Sequence, residues 1–135
     1  MSVQLSVAAR NARADAVEVA AGAGAILQIR SGAQPATCAT AASGTLLSSM
    51  TLPSDWMAAA SAGAKALLGT WQQLSATATG TAAHFRITDS AGTNCHIQGT
   101  VTVTGGGGDM TLDSVSITAG QQVTITSFGW TEPNA

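Results

Sequence analysis

His84 and His96 are the only histidines of the chain, and they flank Asp89-Ser90-Ala91-Gly92, a run with the residue types of a hairpin turn. If that turn joins two antiparallel strands, both imidazoles fall on one face, opposite the apolar one. A metal site needs three or four ligands at fixed distances. The other donors nearby are Asp89 and Cys95, and Cys95 has the opposite parity to His96. The pair therefore reads as two imidazoles facing solvent or a partner, and no metal is expected. Gly105 to Gly108 lacks the Lys-Ser or Lys-Thr and the strand–loop–helix setting of a phosphate loop, so it reads as a flexible turn. Asp109 and Asp113 lack the ligand order of a calcium loop. No Ser-His-Asp set, carboxylate pair or Cys-His nucleophile stands out. Neither enzymatic activity nor a cofactor is expected.

Cys38 and Cys95 are too few for a disulfide scaffold in a chain this long. They read as small, half-buried thiols, with a disulfide as the alternative. Among the aromatic residues, Trp71 and Phe85 are core candidates. Trp56, in a loop, and Trp130, near the end of the chain, are interface candidates, because Trp is enriched at protein contacts.

Charge is scarce. Asp, Glu, Lys and Arg make up 9% of 135 residues, against about 25% in an ordinary domain. Lys65 is the sole lysine, and the formal net charge is −2. This leaves no electrostatic footprint for nucleic acid and none for a membrane surface. The weakly polar stretch from Ala58 to Leu68 is too short to span a bilayer, and no basic, then apolar, leader opens the chain. A surface of Thr, Ser, Ala, Gly and Gln suits a protein packed against partners in an assembly, since charge is depleted at buried interface cores.

The elements that position these residues follow from periodicity. Residues 4–21 predict a helix, stopped by Gly22 and Gly24. Its stripe of Leu5, Ala8, Ala9, Ala12, Ala16, Val19 and Ala20 should dock, with Ala8, Ala12, Ala16 and Ala20 meeting the chain's own sheet or a symmetry mate. That would leave Arg10 or Arg13 free to bond a partner carboxylate. Residues 25–30 and 45–52 predict strands, the second with Leu46, Met50 and Leu52 on one parity, and 31–44 a loop. Residues 57–69 predict an irregular excursion with at most one or two helical turns. From residue 70 the pattern is β: strands at 71–76, 81–88, 94–104, 109–117 and 121–131. Phe85, Ile87, Ile97, Val101 and Val103 should point inward. Gly99 marks a bulge or close crossing, and parity breaks near Asp113-Ser114 and before Phe128. The sum is a mainly β chain, an antiparallel, jelly-roll-like β-sandwich over 25–135, with an N-terminal α-helix in 1–24.

Three segments resemble small virion structural proteins of tailed bacteriophages: Arg10 to Ala16, His84 to Thr93, and Gly120-Gln121 with Val123 to Phe128. Within that group, a small β-rich chain is similar to capsid cement or decoration proteins. The resemblance implies a virion protein on the capsid exterior, made in the host cytoplasm. It would bridge subunits of the major capsid protein and pair with itself as a homodimer or trimer. A tail or head–tail joining component and a host- or glycan-binding sandwich module are the alternatives. The family supplies no catalytic residues, so the candidate contacts remain Arg10, Arg13, Trp56 and Trp130.

Overall fold

The computed structural model describes residues 3–133, so residues 1–2 of the expected 1–24 segment and 134–135 of the expected 25–135 segment lie outside it. One helix, α1 (Val7–Ala21), precedes ten short strands: β1 (Ile26–Arg30), β2 (Leu46–Thr51), β3 (Ala64–Ala66), β4 (Gln72–Gln73), β5 (Gly80–Thr81), β6 (His84–Thr88), β7 (Cys95–Val103), β8 (Met110–Leu112), β9 (Ser116–Ile117) and β10 (Val123–Thr131). The chain is mainly β with an N-terminal helix, as its periodicity predicts. Eight strands form one sheet, ordered β2-β1-β6-β7-β8-β10-β3 with β4 also on β10, while β5 and β9 pair separately. The sheet doubles over. Gln73 Oε1, on β4, accepts from Ser48 Oγ and from the Ser49 amide at 3.1 Å, and Leu47 O accepts from the Thr77 amide at 2.8 Å. β2 thus returns to β4, and the two halves enclose one core, as in a sandwich.

That core runs from Leu27, Ile29 and Leu47 to Trp56, Trp71, Phe85, Phe128, Ile117 and Val123. The aromatics form a chain. Trp56 meets Trp71, Trp71 meets Phe128, and Phe128 meets Phe85 edge-on at 5.2 Å, a favoured geometry for ring quadrupoles. Phe85 lies across from Gly99, and a Cβ on Gly99 would stand 2.7 Å from its ring. Gly99 is the close crossing rather than the bulge. The bulge lies further along β7, where Ile87 faces Ile97 and Thr88 faces Cys95, so His96 is skipped.

Several expectations change. The helix starts at Val7, where Ser6 accepts from the Ala9 amide as its N-cap. A bulge opposite Ile29 and Arg30 turns Leu47, not Leu46, into the core. Val103 is 46% exposed, because β8 ends beside it, and Ile97 is partly buried. Residues 57–67 make a β-hairpin, not helical turns: Met57 bridges Leu67 and Ser61 bridges Ala64. Its turn, Ala62-Gly63, has both residues at positive φ, 51° and 76°, the form that matches strand twist. The 71–76 strand shrinks to Gln72–Gln73. The glycine run does not close a hairpin, since β7 and β8 are parallel, the single parallel pairing of the sheet. Parallel neighbours ordinarily need a crossover of a dozen or more residues; here 104–109 suffices. It folds back on Thr102, and a Cβ on Gly106 or Gly108 would sit 2.8 Å from that side chain.

Phe85 is 1% exposed, so Phe85→Ala is expected to cost about 3–5 kcal/mol. The midpoint of urea unfolding reads this, and an unchanged midpoint would contradict the packing.

Candidate functional site: a helix docked by its polar side

Of the two placements expected for the alanine stripe, docking on the chain's own sheet does not occur. Ala8, Ala12, Ala16, Val19 and Ala20 are all exposed, and the side turned to the sheet carries Arg10, Asn11, Ala14, Asp15, Glu18 and Ala21. Asn11, Asp15 and Glu18 recur at helical spacing and each accepts from a backbone amide of the 57–67 hairpin. Asn11 takes Gly63 N at 2.8 Å, Asp15 takes Ala60 N at 3.2 Å, and Glu18 takes Met57 N at 3.2 Å. Lys65, 4% exposed, completes the joint: its Nζ lies 2.7 Å from Asp15 and 2.8 Å from Glu18 and donates to Ala58 O. Burial works against the ammonium, but the bonds from Asp15 and Glu18 outweigh it, and its pKa stands above the ordinary 10.5. The bond from Lys65, with the Ala60 amide, holds Asp15 below the ordinary 3.8.

Two candidate contacts are thereby corrected. Arg10 is 8% exposed, and its Nε and Nη2 donate to Glu132 O at 3.1 and 2.9 Å. It also covers Gly63, where a Cβ would collide with the guanidinium. Arg10 is therefore no free contact. Arg13 stays exposed but pairs with Glu132 at 3.1 Å. Trp56 has no exposed surface and donates Nε1 to Gly22 O at 3.2 Å; it is core, not an anchor for a partner. Trp130 is half-buried against Phe128. It lines a cleft of about 280 Å³ with Phe85, Ile97, Phe128, Asp109 and Glu132, and its Nε1 is buried without a partner.

His84 and His96 are not brought together. His84 faces Thr100 in register and is fully buried, while His96 occupies the bulge and is exposed. Among the described residues, no three His, Cys, Asp or Glu side chains gather as a metal would require. Cys38 and Cys95 are free, half-buried thiols on the rim of one pocket. Burial, with Cys95 adjacent, pushes the Cys38 thiol up to about 11. Such a thiol holds little thiolate at neutral pH and is a poor nucleophile.

The outward face of α1 is thus a small-residue surface held on a rigid support. Val19, 78% exposed, stands at its C-terminal end. Asp55 apart, every charged side chain is engaged within the chain. The surface consequently offers shape and small apolar groups more than charge. Sequence reasoning missed the docking side, although the Asn11, Asp15 and Glu18 stripe was there to be read. No protein-family model, curated protein or solved structure matches the chain.

The docking has a defined pH window. Asp15 contributes fully above about pH 3.8, and this is lost as pH falls through its lower folded value. Lys65 contributes fully below 10.5 and loses this as pH rises through its higher folded value. Lys65→Met removes the central cation and is expected to cost the joint about 2 kcal/mol, below the usual range for a broken buried pair because Asp15 can rehydrate. Hydrogen exchange at the Met57, Ala60 and Gly63 amides should quicken by about 30-fold. Amides in β6 and β7 should keep their protection; equal acceleration there would refute a separable helix joint.

Proposed function

We propose that the chain is a structural virion protein that binds and stabilises a phage capsid shell as a cement or decoration protein, bridging neighbouring major capsid protein subunits. The observation that carries this reading is the outward face of α1: alanine and valine at helical spacing, on a helix clamped from behind. Small side chains let another backbone approach closely. The clamp removes the entropic cost that a mobile helix would bear on binding. The resemblance of the 10–16, 84–93 and 120–128 segments to small phage structural proteins supports the same reading. A shell repeats each contact many times, so a modest interface per copy suffices. The partner at the helix face is then a capsid subunit or a symmetry mate of this chain, and the working form is a homodimer or trimer on the capsid exterior. Arg10, which is spent on Glu132, has no part in the contact.

A second reading, a glycan-binding sandwich module, draws on the cleft at Trp130. Half-buried Trp130, backed by buried Phe85 and Phe128 and with Asp109 and Glu132 at hand, offers one ring against which a sugar can stack.

The double variant Ala12→Glu/Ala16→Glu separates these ideas, since both positions are solvent-exposed and tolerate the change in the free protein. Cognate capsid shells lacking the protein should bind the wild type in hundreds of copies, counted by calibrated gel, and bind the variant at least ten-fold less. Wild-type density on tails or connectors, at dozens of copies or fewer, would favour the joining role. Undiminished binding by the variant would remove the helix face from the interface. Saturable glycan binding lost in Trp130→Ala would favour the second reading.

A further inference from the structure

The 31–44 loop lies over the outer face of β1, β6 and β7, and three side chains of that face reach its carbonyl groups. His84 Nδ1–H donates to Gly32 O at 2.9 Å, Gln98 Nε2 to Pro35 O at 2.8 Å and Arg86 Nη2 to Cys38 O at 2.6 Å. The donors share a face, because His84 and Arg86 alternate on β6 and Gln98 stands opposite Arg86 in register. Each has a second polar atom left over. His84 Nε2, Arg86 Nε and Gln98 Oε1 are buried and have no partner, so three of the four such atoms in the described chain lie under one loop.

Arg86 is the most telling. It is 5% exposed, it carries a full positive charge, and it forms no ion pair among the described residues. Buried charges are normally paired or neutralised, and a guanidinium cannot shed its proton. Beside it lies Arg30, which likewise has no acidic partner; its Nε is spent on Gln28 Oε1 at 3.2 Å and its Nη1 makes long bonds to Ser43 O and Gly44 O, 3.5 and 3.4 Å, leaving Nη2 uncommitted. Burial, followed by the charge on Arg86, lowers the Arg30 pKa. The two guanidiniums therefore act on one another without a counter-charge between them. Both line a pocket of about 260 Å³ that also takes in Gln28, Thr40, Thr88 and Thr93. No carboxylate lines it. Asp89, in the adjoining turn, is committed to the Thr93 and Asn94 amides and to Asn94 Nδ2.

We propose that this pocket is an oxyanion site, in which Arg86 and Arg30 hold a carboxylate or a phosphate-type group, with the Thr40 and Thr93 hydroxyls at hand for its outer oxygens. Planar guanidinium forks suit both groups, through parallel N–H···O bonds to two oxygens. The loop that roofs the pocket is fixed to the same face by Arg86 itself, so occupancy and loop position are linked. The proposal stands apart from the capsid reading; it concerns the opposite face of the sheet from the core and requires no partner protein.

Inorganic phosphate, sulfate and acetate, each titrated into the full chain at matched ionic strength against chloride, test it. The readout is the NMR signal of the Arg86 Nε–H and the amides of residues 39–42 and 93. At least one of the three anions should give a saturable shift in the millimolar range or tighter, with chloride giving none. Saturation by phosphate and sulfate alone assigns a phosphate-type ligand, saturation by acetate alone a carboxylate, and saturation by all three a general oxyanion site. Arg30→Gln, at a half-exposed position, should weaken the binding at least ten-fold while leaving the far-UV circular dichroism unchanged. Arg86→Lys, which keeps the charge but loses the fork, should weaken it too. The proposal is overturned if none of the anions gives a saturable shift, or if Arg30→Gln binds as tightly as the wild type.

Discussion

The joint between α1 and the 57–67 hairpin is the constraint on which the rest of the structure turns. A hairpin with Ala62 at positive φ is locally unfavourable, because an L-residue with a Cβ crowds the neighbouring carbonyl there. Its amides at Met57, Ala60 and Gly63 also need acceptors, and its inward Lys65 needs counter-charge. The helix supplies both through Asn11, Asp15 and Glu18. The end of β10 closes the arrangement, since the Glu132 amide donates to Gly63 O and Glu132 O receives Arg10. Helix, hairpin and Glu132, just past the final strand, are therefore tied to one another, although they are far apart in sequence.

Magnitudes explain why the helix turns its polar side inward. Burying the alanine stripe would gain at most about 0.8 kcal/mol per methyl group. The opposite orientation would leave three amides and a buried ammonium unsatisfied, each at about 1–3 kcal/mol or more. Hydrophobic periodicity usually settles which side of a helix is buried because the apolar side chains are large. When the stripe is alanine, polar satisfaction decides instead. Ranking the stripes by hydropathy puts the Ala8, Ala12, Ala16 and Ala20 stripe, rather than the polar one, in contact with the sheet or a symmetry mate.

Elsewhere the legible and illegible parts of the fold divide along the same physical line. Strand parity was readable in β6, with Phe85 and Ile87, though a bulge displaced Leu46 and the short β8 left Val103 exposed; the shift in β10 before Phe128, where Ile125 and Ser127 flank the irregularity, was readable too. Gly99 announced the close approach of Phe85. The 57–67 hairpin was not readable, since an alanine-rich run with an Ala-Gly turn has helical composition and lacks the Asn-Gly or Asp-Gly signal. The parallel β7–β8 pair was hidden for a related reason. A glycine run marks a turn, but how far the chain doubles back depends on Thr102, against which Gly106 and Gly108 pack. The layer under the 31–44 loop was invisible to parity as well, because alternation labels His84 and Arg86 as outward-facing. Outward from the core is not the same as exposed when a fourteen-residue loop crosses that face.

These observations give the low charge content a physical meaning. Few charged residues are present, and three of them work inside the molecule, where a low dielectric makes each fixed charge or hydrogen bond count for more than it would on the surface. Lys65, Arg10 and Arg86 are all nearly inaccessible, and each ties a segment to one that is distant in sequence. A chain that spends its charge this way keeps little for long-range steering or for a salt-bridged interface. What it presents on α1 is a fixed row of small side chains whose position is set by bonds on the helix's far side. Recognition by such a surface has to rest on close fit, and close fit rewards rigidity, because ordering costs at binding are already met in folding. On the capsid reading proposed above, the polar clamp and the alanine face are two sides of one device, in which the first fixes the position of the second.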